Sequence, residues 1–149
     1  MSMANTIETN STVKTTAVFS KNRKDRYLLK AEWDSNKKSL AIIMTYPSSA
    51  DELTLDQTTM LVRNEAIKND FGSVSIVNVF SSINNEAPKI DKTNTSIVMR
   101  ECENADTIIV AYGRSTSFEE EKKAFLNALT EHYNDLSLIH ISEPTRQEA

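Results

Sequence analysis

The sequence predicts an α/β domain of three layers: a largely parallel central sheet flanked by helices, with an antiparallel hairpin at its N-terminal side. Three apolar runs carry this reading: SLAIIMT (Ser39–Thr45), SVSIVNV (Ser73–Val79) and TIIVA (Thr107–Ala111). They are continuous rather than alternating, as expected of strands covered on both faces. Helix-patterned segments separate them, and repeated strand–helix alternation implies parallel strands joined by crossovers.

In chain order, residues 1–14 read as a polar arm without the apolar core of a signal peptide, which predicts a cytoplasmic protein. TAVFS (Thr16–Ser20) and RYLLKAEW (Arg26–Trp33) are β-rich and flank the polar KNRKD, the pattern of a hairpin. The basic cluster Lys21 to Arg26 reads as a solvated turn. After the first apolar run, a helix is expected from about Leu55 to Asn69. Ser49–Glu52 and Thr54–Gln57 both match capping-box spacing, and Gly72 is expected to mark its end. A second helix is expected over about Thr93–Asn104. A third is opened by the Ser117–Glu120 box, with Phe118, Phe125, Leu129 and Tyr133 at helical spacing.

The C-terminal segment Leu136–Arg146, LSLIHISEPTR, matches the translation of a common transposon-type sequencing adapter. Residues 136–149 are therefore expected to be a foreign tail, poorly packed, on a domain spanning 15–135 that is truncated at its C-terminus.

Composition narrows the function. The net charge of −4 and pI near 5.2 argue against a phosphate-gripping duplex-DNA surface. The two glycines, Gly72 and Gly113, are too few for a dinucleotide fingerprint or a P-loop. One cysteine, Cys102, permits no internal disulfide and reads as a core residue, and no metal site or cofactor is expected. His132 reads as a surface residue, and the longest apolar runs are too short to span a bilayer.

Open α/β sheets bind ligands beyond the carboxyl ends of their strands. Here those ends are TYPSSAD, NVFSS and AYGRSTS, all polar, and they should lie along one edge. Tyr46, Pro47, Ser48, Thr58, Asn78, Tyr112 and Gly113 are the candidate ligand-binding residues. Asp51 and Asp56 are the candidate catalytic carboxylates, as a general base or water-positioning pair, or else as first-turn residues favoured by the helix dipole. Asn78 interrupts an apolar strand and is either a structural bridge or a group that reads a polar edge.

The runs AVFSKNRKDRYLLKAEWD, IIMTYPSSAD, LDQTT, GSVSIVNVFS and NADTIIVAYG, from about Ala17 to Gly113, resemble the bacterial and phage domain-of-unknown-function family 1643. Pro47, Ser48, Ala50 and Asp51 match its proline-serine-threonine-alanine-aspartate run, Asp56 and Thr58 its aspartate-x-threonine element, and Asn78 and Phe80 its asparagine-leucine-phenylalanine element. Tyr46 stands in place of an asparagine and Tyr112 in place of a tryptophan. The family's pattern has an asparagine-proline loop after the first core strand, a polar second strand end and a late histidine-proline loop. At fold level it resembles the uracil-DNA glycosylase superfamily, in which such loops hold a flipped base and position water. Here Tyr46 replaces the asparagine, and the histidine-proline segment is absent. The resemblance implies a nucleobase, nucleotide or single-stranded nucleic acid as ligand, for an enzyme or a non-catalytic binding module.

Overall fold

Strand β3 (Lys38–Met44) lies between two parallel neighbours, β4 (Phe71–Asn78) and β5 (Thr107–Val110), and this trio is the centre of the molecule. The structure is a computed structural model that describes residues 5–83, 89–112, 118–132 and 138–140. Strands β1 (Lys14–Phe19) and β2 (Arg26–Glu32) form the expected antiparallel hairpin, and β6 (Leu138–His140) is the last strand. The sheet order is β1-β2-β4-β3-β5-β6. Helices α1 (Gln57–Lys68), α2 (Lys92–Glu103) and α3 (Glu119–His132) complete this mixed α/β fold.

The sheet is mixed rather than largely parallel, because β2 pairs antiparallel with β4 (Leu29↔Ile76, Glu32↔Ser73) and brings β1 with it. This pairing also places Arg26. An antiparallel neighbour starts where its partner ends, so the first residue of β2, Arg26, sits at the carboxyl end of β4. The Arg26 N–H donates to the Ser81 carbonyl at 2.9 Å, and the Ser81 hydroxyl donates to Asp25 at 2.8 Å.

Alternation along the central strands builds two cores. Ala41, Ile43, Val77, Ile108 and Val110 point to one face and pack with Val98 and Cys102 of α2 and Phe125 and Leu129 of α3. Leu40, Ile42, Val74 and Ile76 point to the other and pack with Ala66 of α1. Each fully buried Val, Leu or Ile contributes about 1.5–3 kcal/mol, so the sheet's two faces supply most of the stabilisation. Cys102 is fully buried, as a core residue should be, and burial followed by the nearby Glu101 pushes its thiol up to about 12.

Three expectations about the connections change. Helix α1 is capped by Asp56, whose carboxylate accepts the Thr59 N–H at 2.8 Å, and neither candidate capping box is used. An aspartate directly preceding the helix competes better for those amides than a hydroxyl further upstream. The helix exit is made by Asn69 and by Asp70 at φ 68°, with Gly72 already inside β4. Aspartate tolerates the left-handed region well enough to replace a glycine there. Finally, Leu138–His140 pair in parallel with β5 at the sheet edge (Ile108↔Leu138, Val110↔His140). Three residues of the stretch set aside as a foreign tail thus extend the sheet, since a β-prone Leu-Ile-His run suits the open edge of β5. Gly113, Ser117 and Tyr133 lie outside the described residues.

Candidate functional site

The polar strand ends do meet. Val79 and Phe80 donate their N–H groups to the carbonyls of Met44 and Thr45 at 2.9 and 3.1 Å, and Ala111 donates to Ile43 at 2.8 Å. The Thr45 hydroxyl donates to the Tyr112 carbonyl at 3.3 Å, tying the exits of β3 and β5 together. Asn94, in the first turn of α2, donates to the carbonyls of Asn78 (2.8 Å) and Val79 (3.2 Å) and holds the exit of β4.

Beyond these ends lies a half-open cavity of about 270 Å³, just below the roughly 300–1,000 Å³ usual of ligand sites. Tyr46, Pro47 and Ser48 from the loop after β3, Thr58 from α1 and Tyr112 from the end of β5 line it, as expected from the sequence. Met44, Thr45, Thr59, Ile76 and Arg26 join them, and none of these was singled out by sequence reasoning. Met44 and Ile76 are pleat neighbours, and Thr59 adjoins Thr58. Arg26 left no usable signal, because it closes a basic cluster that reads as solvent-facing.

Arg26 is the correction with the largest consequence. Lys21 to Lys24 are exposed as expected of a turn, whereas Arg26 is only 2% exposed. Its Nη1 donates to the Ser48 carbonyl (3.3 Å), the Ser48 hydroxyl (3.3 Å) and the Ala50 carbonyl (3.0 Å), so the guanidinium shapes the loop that walls the cavity. Its Nε has no hydrogen-bond partner among the described residues. Burial, opposed by the charge of Asp56, lowers its pKa to about 10, which leaves it a cation at neutral pH.

Both candidate carboxylates stand off the cavity wall. Asp51 accepts the N–H groups of Leu53 (2.9 Å) and Thr54 (2.7 Å), and those amides, Thr54 first, hold its carboxyl below the ordinary range. Asp56 is nearer the cavity. Burial would raise its carboxyl, but hydrogen bonding from Ser48 and Thr59 and the charge of Arg26 outweigh that and hold it low. Backbone amides at a turn and a helix start captured both groups, because ionised carboxylates are the strongest acceptors nearby. Asp56→Ala is expected to cost about 1 kcal/mol as a lost cap. Asp56→Asn keeps the cap and removes the charge. A depressed folded pKa stabilises above the ordinary value of 3.8 and is lost as pH falls through the lower folded value. The stability gap between wild type and Asp56→Asn should therefore hold from about pH 7 to pH 5 and shrink below about pH 4 in urea titrations. A gap independent of pH would contradict this.

Asn78 also lies off the wall, but on the cavity's face of the sheet. It pairs in register with Met44, a lining residue, and registered neighbours project to the same side. The residue is 1% exposed, and neither amide atom has a hydrogen-bond partner among the described residues. Its backbone carbonyl accepts from Asn94, while its side-chain amide bridges to none of the described residues.

Two tyrosines complete the wall. Tyr46 stacks on Phe80 at 5.5 Å and 25° and meets Phe118 edge-on at 6.2 Å. Burial pushes the Tyr112 hydroxyl up to about 12, and its ring receives Lys122 Nζ at 5.3 Å. No group of three or more His, Cys, Asp or Glu among the described residues is placed to hold a metal ion. No helix among the described residues is long and apolar enough to cross a membrane.

A profile of the family described as "Protein of unknown function (DUF1643)" matches residues 26–148, a span that includes Leu136 to Arg146. No curated protein and no solved structure matches the chain.

Proposed function

Because the chain belongs to the DUF1643 family of proteins of unknown function, its cavity has to carry the functional reading, and we propose that it binds a small planar polar ligand of the nucleobase or nucleotide class. The observation that supports this most is the Asn78 amide, unpaired among the described residues and buried on the same face as a cavity walled by Tyr46 and Tyr112. A carboxamide offers a donor and an acceptor side by side, which complements the polar edge of a base. Tyrosine rings supply apolar area at low entropic cost, and Ser48, Thr58 and Thr59 supply adaptable hydroxyls.

Binding without turnover is the favoured form. A general base works best with a pKa near the operating pH, and both Asp51 and Asp56 are held in the opposite direction. Hydrolysis of a base–sugar bond is the second reading. It is favoured by Asp56 standing beside Ser48 and Arg26 at the cavity, where it could orient a water.

The test is calorimetric titration with free bases, nucleosides, nucleotides and single-stranded DNA, using wild type, Asn78→Ala and Asp56→Asn, with products followed chromatographically. The proposal expects saturable binding by at least one of the base-bearing compounds, weakened at least about tenfold by Asn78→Ala, with the ligand unchanged. Base release lost in Asp56→Asn would move the assignment to the enzyme. Absence of binding by every compound would remove the nucleobase reading.

A further inference from the structure

We infer that the ligand of this cavity carries an anionic oxygen group, a phosphate or a carboxylate, that docks on the Arg26 guanidinium. This deepens the reading of the cavity as a small-ligand site and rests on it. Arg26 lines the cavity while only 2% exposed, and among the described residues it forms no ion pair. Among the described residues its Nη1 meets only neutral acceptors and its Nε meets none.

A buried cation without a contacting anion is costly, and proteins rarely keep one unless something supplies the opposite charge. Asp56 acts on Arg26 through its charge without forming an ion pair with it, its carboxylate accepting instead from Thr59 at the start of α1 and from Ser48. The rest of the cavity lining is uncharged, and the Asp56 carboxylate stands behind the wall on Ser48 and Thr59. The first turn of α1 contributes Thr58 and Thr59 to the same wall, and a helix start adds positive potential where the anion would sit. Guanidinium is also the side chain best suited to two-point contact with phosphate or carboxylate.

The experiment compares matched nucleosides and nucleoside 5′-monophosphates by calorimetry. In parallel, the Arg26 Nε–H signal of the wild-type protein is followed by NMR during titration with inorganic phosphate and, separately, acetate. The inference expects each monophosphate to bind at least about tenfold more tightly than its nucleoside, with the difference abolished in Arg26→Gln. It also expects phosphate or acetate alone to shift the Nε–H signal saturably, and the more effective of the two identifies the anion class. The wild-type signal keeps the test independent of how well Arg26→Gln folds. A shifted signal with no nucleoside or nucleotide binding would uphold the anion site and remove the nucleobase reading. Equal affinities for nucleoside and monophosphate, or a signal unmoved by both anions, would overturn the inference while leaving the nucleobase reading standing.

Discussion

Gly72→Ala is expected to destabilise the protein by about 3 kcal/mol or more, a large share of the roughly 5–15 kcal/mol available to a domain. A β-carbon built at this position would stand 1.8 Å from the Asp34 carbonyl oxygen and 2.9 Å from both the Asp34 carbonyl carbon and Lys37 Cβ. The obstruction is mainly backbone, so no rotamer change relieves it. Relief by moving the Asp34 turn would break the bonds that hold it, since Trp33 and Asp34 both donate their N–H groups to the Gly72 carbonyl at 2.9 and 3.0 Å. Those bonds lock the connection between β2 and β3 against β4, so the strain falls on the centre of the sheet. Urea denaturation should show the midpoint moving sharply down, or the variant should fail to accumulate as folded protein. A midpoint equal to that of wild type would contradict the close approach.

Arg26→Ala is expected to cost about 3 kcal/mol and to loosen the cavity loop selectively. The substitution removes three hydrogen bonds and leaves the Ser48 and Ala50 carbonyls without that donor, in a loop where Ala50 is 1% exposed. An unsatisfied buried acceptor costs about 1–3 kcal/mol, and relief of the buried charge offsets part of the sum. Arg26→Met, which keeps the apolar stem, separates packing from hydrogen bonding and should recover part of the loss. Amide exchange should accelerate across residues 48–54 while Ile42 and Ile43 of β3 remain protected. Stability within about 0.5 kcal/mol of wild type would show that Arg26 does not hold the loop.

Much of the architecture was legible in the sequence because its signals are local. The continuous apolar runs of β3, β4 and β5 mark strands buried on both faces, and all three sit side by side in parallel. The polar segments that follow the first and last of these runs do build the cavity, through Tyr46, Pro47, Ser48 and Tyr112. Asn78 was noticed for the same reason, since a lone amide in an apolar strand has to be accounted for.

What could not be read locally was how the pieces pair and which groups satisfy one another. Nothing in RYLLKAEW states that β2 joins β4 rather than β3, because backbone ladders carry no residue code and register is settled by which faces bury best. That pairing turned a nominally solvent-facing arginine into the buried cation of the cavity. Competition for hydrogen bonds drew Asp51 and Asp56 into turn and cap, although their spacing suited catalysis equally well. Likewise, Gly72 marked a break in pattern, and only the packed Asp34 carbonyl shows that the break is a close approach rather than a helix end. Strands, helices and the sheet edge beside which the cavity opens were thus legible along the chain, since periodicity marks them. The charge and hydrogen-bonding groups around the cavity came only from the fold, since they depend on which distant residues desolvate one another.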